Sequence, residues 1–172
     1  MTGWTGESAK PPLSGFADLA DGGRKLVERL REALGDSPDP LLVAVVPNGV
    51  PVAEPLADAL GVAIAGAYLD RDGDPHVVEI PEVAGLHCVV VDDGVETGTA
   101  ARVIGRALRE AGAARLVLAV PVCPRQAEAQ LQHVYDTIVA IERPLGRRDL
   151  HWHYDDFNTI DEAEARRRLD AR

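Results

Sequence analysis

The chain predicts an α/β fold: a single domain with a mostly parallel five-stranded sheet flanked by helices, plus a short antiparallel hood segment. Three observations carry this expectation. Short continuous apolar runs at 41–46, 62–69, 87–91, 116–122 and 137–141 have the length and composition of strands covered on both faces. Stretches with apolar residues at helical spacing alternate with them. Such alternation calls for right-handed crossovers and a parallel sheet. At 172 residues, 46% of them hydrophobic, the chain is long enough to bury one core.

Residues 1–14 read as a flexible N-terminal tail and residues 15–172 as the domain. From Phe16 to Leu34, apolar Leu26, Val27, Leu30 and Leu34 recur at helical spacing among Arg and Glu, and Gly35 closes that helix. An exposed apolar face on it would suggest a homodimer. Pro47-Asn48-Gly49-Val50-Pro51 breaks the first strand abruptly. A second helix follows, with Val52, Leu56, Ala59 and Leu60 on one face and Gly61 as its stop. After the second strand, Asp70-Arg71-Asp72-Gly73-Asp74-Pro75 is an acidic turn, and 76–80 can pair back as a short antiparallel strand. Beyond 87–91, Ala100, Val103, Ile104, Ala107, Leu108 and Ala111 fall at offsets 0, 3, 4, 7, 8 and 11. They make the clearest amphipathic helix in the chain, with Gly112 as its cap. Residues 124–134 read as a helix started by Pro124, and Thr159-Ile160-Asp161-Glu162 as a capping box opening a terminal Arg-rich helix.

Charge narrows the function. A formal net charge of −10 and a pI near 4.9 argue against nucleic-acid or acidic-membrane partners. Lysines are confined to Lys10 and Lys25. A phosphate site would therefore lean on backbone N–H groups and Mg²⁺ more than on side chains. Cys88 and Cys123 lie far apart in apolar runs and read as buried thiols. No apolar run approaches the roughly 18 residues of a membrane span, and the N-terminus lacks a signal-peptide pattern. A soluble cytoplasmic protein is expected.

The chemistry gathers at the end of strand 87–91, where Asp92 and Asp93 precede Gly94-Val95-Glu96-Thr97-Gly98-Thr99 and the amphipathic helix. In open α/β sheets, ligands sit outside the carboxyl ends of strands, where helix N-termini attract anions. Two acids at a curling strand end can grip neighbouring hydroxyls of one sugar. Gly94 and Gly98 permit tight turns, Thr97 and Thr99 add hydroxyls, and the N–H groups from Val95 to Thr99 form an anion cradle. Other phosphate motifs lack their parts. No lysine after Lys25 can complete a Walker loop or a receiver-domain site, and Pro47-Asn48-Gly49 does not supply a dinucleotide fingerprint.

The run Val89-Val90-Val91-Asp92-Asp93-Gly94-Val95-Glu96-Thr97-Gly98-Thr99 resembles the phosphoribosyl-pyrophosphate (PRPP) motif of type I phosphoribosyltransferases. The segment from Arg115 to Pro121 and the ending Tyr154-Asp155-Asp156-Phe157 are similar to a bacterial branch of that family. The resemblance implies that Asp92 and Asp93 hold the ribose 2- and 3-hydroxyls, and Val95 to Thr99 the 5-phosphate. Glu96 matches the position of a general acid/base. Pro47, Asn48, Gly49 and Val50 match a pyrophosphate loop. Trp152, Tyr154 and Phe157 become candidates for the base pocket. His151 and His153, flanking Trp152, read as a solvated strand or loop rather than a metal pair.

The implied cofactor is Mg²⁺, carried mainly by PRPP rather than by direct protein ligands. The implied partners are PRPP or a nucleoside monophosphate, and a nitrogenous base. Two departures stand out. Asn48 replaces the Arg that family members often have, and Val50 the second Gly. The hood from Asp70 to Leu86 carries Arg71 as its one cation. Losing an electrostatic clamp of this kind can cost roughly a hundred-fold in rate. Transfer of a phosphoribosyl group is the first expectation. A non-catalytic module that senses PRPP or a nucleotide is the alternative, set behind because Glu96 would have no obvious task in it.

Overall fold

The computed structural model describes residues 15–172; the tail expected at 1–14 lies outside them. The elements run α1 (Leu19–Leu34), β1 (Leu41–Val45), α2 (Gly49–Leu60), β2 (Ile64–Asp70), β3 (His76–Glu79), β4 (His87–Val91), α3 (Thr99–Glu110), β5 (Arg115–Val122), α4 (Arg125–Leu131), β6 (Thr137–Glu142) and α5 (Glu162–Asp170). A short 3₁₀ turn, Leu150–His153, lies between the last two.

One six-stranded sheet has the order β3-β2-β1-β4-β5-β6. Five strands are parallel, as expected, and the hood strand β3 joins them as an antiparallel edge paired to β2. The apolar runs are continuous because both faces are covered. Leu42 and Ala44 of β1 face a core shared with α1 and α2, while Val43 and Val45 face the opposite core under α3 and α4. Both edges are blunted against pairing. β3 is only four residues long. On β6, Arg29 donates to the Ala140 carbonyl, and Arg143 to those of Ala140 and Ile138.

The apolar stripe of α1, including Leu19, Leu26 and Leu30, is buried against α2, β5 and β6 of the same chain. One sequence expectation needs correction. The terminal helix is capped by Asp161, which accepts the Glu164 N–H at 2.8 Å, and not by Thr159. Thr159 lies two residues before the cap, its N–H donated to the Phe157 carbonyl. The arginines of α5 are spent on carboxylates, Arg166 on Glu162 and Arg168 on Glu54 and Glu164, so they form no free basic face. Among the described residues no helix is long and apolar enough to cross a membrane.

Candidate functional site

Successive connections leave the sheet in opposite directions at β1 and β4, which are neighbours. Such a switch point opens a crevice beyond the strand ends. A cleft of about 410 Å³ lies there, walled by Pro47 and Asn48, the run from Asp92 to Ala101, Arg71 of the hood, and Leu150. The structure therefore brings together the acid pair, the Gly/Thr loop, half of the expected pyrophosphate loop and the hood cation. Gly49 and Val50 form the buried first turn of α2 behind the wall. A Cβ on Gly49 would meet the Val91 carbonyl oxygen at 2.5 Å, so only glycine lets the two strand ends pack this closely.

Asp93 is buried and Asp92 half-buried. The Asp93 N–H donates to Asp92 Oδ1 at 2.8 Å, and the Tyr154 hydroxyl donates to the Asp93 carbonyl at 2.5 Å. Burial raises the pKa of both carboxyls above the usual range, and the charge of Asp93 raises Asp92 further. Hydrogen bonds from Asp92 and Asn48 and the charge of Arg71 pull Asp93 back without overcoming burial. Asn48 can serve Asp93 because its own oxygen is occupied. Asn48 Oδ1 accepts the Ile160 N–H at 3.2 Å, leaving the amide NH₂ for the acid.

The Gly/Thr loop is held from both sides. The Val95 N–H donates to the Val122 carbonyl at 2.8 Å. This corrects the expected cradle, since Val95 spends its donor on β5. The N–H groups of Glu96, Thr97, Gly98 and Thr99 have no acceptor among the described residues. Gly98, at φ +85, turns the chain into α3, and the Thr97 and Thr99 hydroxyls lie 3.1 Å apart. Helices α1 and α5 are capped by Asp18 and Asp161, whereas α2 and α3 have neither a side-chain cap nor an acid in their first turn. The positive end of α3 stays open toward the cleft, whereas the first turn of α2 is buried behind the wall with its Val50 N–H donated to the Pro47 carbonyl.

Glu96 lies on the cleft wall, but its carboxylate is engaged. Oε1 accepts the Leu150 N–H at 3.1 Å, and Oε2 lies 3.5 Å from an Arg147 guanidinium nitrogen. Leu150 in turn covers Gly94, where a Cβ would fall 2.5 Å from its Cδ2. Glu96 thus has a structural task that the sequence did not reveal.

The expected base-pocket aromatics do not line the cleft. Tyr154 is buried beneath the acid pair, packed on Phe16 and Phe157 with ring centroids 5.4 and 5.3 Å away. Trp152 is exposed on the outer side, beside Arg147 and Arg148. His151 is exposed, and His153 is buried with Nδ1 2.7 Å from Glu142 Oε2, so the two do not face a common ligand. Burial pushes the Cys88 thiol up to about 11 and Cys123 up to about 12, which leaves both unreactive at neutral pH. Among the described residues no three His, Cys, Asp or Glu side chains converge as a metal cage. The two carboxylates of this cleft do fit Mg²⁺, which binds through one or two carboxylates and the oxygens of its ligand.

Leu150, Arg147 and Ile160 carried no signal in the sequence, because they enter through backbone N–H groups or long-range pairing. Arg71 stood out as the one hood cation, and it does reach the wall.

Sheet order and cleft define the doubly wound α/β class that receives ligands at a switch point. Residues 16–152 match the family described as "Phosphoribosyl transferase domain", and the chain belongs to that family. Its fold is similar to that of TT1426 from Thermus thermophilus, with a TM-score of 0.79 at 20% identity over 90% of this chain and 97% of that one. It is also similar to a purine phosphoribosyltransferase from Pyrococcus horikoshii, at TM-score 0.56 and 20% identity over 76% and 90%. A Neisseria gonorrhoeae protein solved with bound ppGpp matches at TM-score 0.62 and 19% identity over 89% and 92%. Among curated proteins, the transcriptional regulator GfcR 2 of Methanosarcina barkeri is 36% identical over 97 residues, 53% of this chain. GfcR of Methanococcoides burtonii is 28% identical over 125 residues, 69% of this chain. The chain spans 48% and 61% of those two regulators' lengths.

Proposed function

We propose that the cleft binds PRPP with Mg²⁺, and that the protein transfers the phosphoribosyl group to or from a nitrogenous base, with a nucleoside monophosphate on the other side of the exchange. The observation that carries this reading is the meeting of a buried acid pair with a row of unspent N–H donors in one cleft. Carboxylates accept hydroxyl hydrogens and repel phosphate, whereas open helix starts do the reverse. A sugar with vicinal hydroxyls at one end and a phosphate at the other satisfies both.

In this reading Asp92 and Asp93 hold the 2- and 3-hydroxyls. The donors of Glu96, Thr97, Gly98 and Thr99 hold the 5-phosphate. As the C1–O bond to pyrophosphate breaks, positive charge develops on the sugar ring, and the acid pair spreads it. The base nitrogen then forms its bond to C1. Mg²⁺ on the diphosphate oxygens would neutralise the leaving group. Arg71 remains for the pyrophosphate, with Asn48 bringing no charge of its own.

A regulatory module that senses PRPP or a nucleotide is the second reading. It is favoured by Glu96, whose carboxylate is taken by Leu150 and Arg147, and by relatives named as transcriptional regulators. Calorimetry with PRPP and Mg²⁺ tests both. Binding that Asp93→Asn or Thr97→Ala weakens is expected, and no detectable heat rejects both. Pyrophosphate release with any member of a purine and pyrimidine panel then favours transfer; binding without release favours the sensor.

A further inference from the structure

We infer that Glu96 is a positioning residue that latches the outer wall of the cleft to the phosphate loop, coupling occupancy of the cleft to the exposed surface from Arg147 to Trp152. The segment after β6 is fixed at its far end. Phe16 N–H donates to the His153 carbonyl at 2.7 Å, His153 pairs with Glu142, and Tyr154 reaches the Asp93 carbonyl. Residues 145–149 are exposed throughout. Among the described residues, their ties beyond a local turn are those from Glu96 to Arg147 and to the next residue, Leu150.

The side chain of Leu150 packs on the core, and the Glu96 carboxylate is the polar tie that holds its backbone over Gly94. That carboxylate belongs to the first residue of the free-donor row. A phosphate that reorients the N–H groups of Glu96 and Thr97 moves the latch directly. The latch and the ligand donors are parts of one peptide run, and the outward face carries Arg147, Arg148 and Trp152. The latch exists without ligand; the coupling rests on the cleft taking a phosphorylated ligand as proposed above.

Trypsin cuts after Arg147 and Arg148, and Trp152 reports locally in a Trp4→Phe background, Trp4 being the only other tryptophan. Without ligand, Glu96→Ala should be cut about tenfold faster than the parent, because a charge-assisted hydrogen bond holds the wall shut. Glu96→Gln keeps an oxygen for the Leu150 N–H and should stay within about threefold. PRPP with Mg²⁺ should change Trp152 emission and the cutting rate in the parent but not in Glu96→Ala. Equal ligand-free cutting of parent and Glu96→Ala overturns the latch, whatever PRPP does. PRPP that binds by calorimetry yet leaves both readouts of the parent unchanged overturns the coupling. Loss of transfer in Glu96→Gln with cutting and binding unchanged would assign Glu96 to proton transfer instead. Absence of PRPP binding rejects the proposed function, while the ligand-free comparison still decides the latch.

Discussion

The Tyr154 hydroxyl donates to the Asp93 backbone carbonyl across 61 positions of sequence, tying the segment after β6 to the acid pair from below. Both groups are buried, so neither can turn to water instead. Tyr154→Phe keeps the ring packing on Phe16 and Phe157 but orphans the carbonyl. A loss of about 1–3 kcal/mol in denaturant-derived stability is expected. An unchanged unfolding midpoint would mean that the carbonyl finds another donor.

The acid pair should cost the empty protein stability at neutral pH. Burial raises both carboxyl pKa values in the fold above their unfolded values, so the folded state holds its protons more tightly. This contribution is fully favourable below the unfolded carboxylate pKa and is lost as pH rises through the raised folded values. Asp92→Asn should therefore raise the melting temperature at pH 7, with a gain that shrinks as the pH falls to about 4. A gain independent of pH would dissociate it from charge.

Asn48 favours the ionised form of Asp93 by hydrogen bonding, and Ile160 orients it. Asn48→Ala should shift the pH midpoint of PRPP binding upward, because Asp93 then ionises later. Calorimetric titrations across pH measure the shift, and an unmoved midpoint would separate Asn48 from the acid.

Gly49→Ala should destabilise the fold by about 1–3 kcal/mol, since the added carbon meets backbone, the Val91 carbonyl, which cannot swing aside. Urea unfolding checks it. Stability equal to that of the parent would mean that the strand ends pack more loosely than this contact implies.

Most of the sheet and the acid–Gly/Thr loop were legible because each carries a local pattern. Buried strands are continuously apolar, α3 is periodic, and Asp92 to Thr99 is contiguous. The links that shape the site were not legible. Glu96 meets Leu150 and Asn48 meets Ile160 through backbone N–H groups, which nearly every residue owns and no motif marks. The aromatic cluster misled for a related reason. Trp152 and Tyr154 are two residues apart, yet the 3₁₀ turn sends one to solvent and the other under Asp93. The cap of α5 slipped from Thr159 to Asp161 because both residues suit the role and only packing chooses.

The hood strand β3 is hydrogen-bonded to β2, with Asp70 opposite His76 directly below the turn that bears Arg71. A hairpin tip anchored this close to its base travels little. Entry to the cleft is therefore framed in advance, and a ligand does not have to order a long free lid before engaging the acids. Exchange of ligand should then follow the pace of small hairpin bending rather than that of a loop closing from disorder.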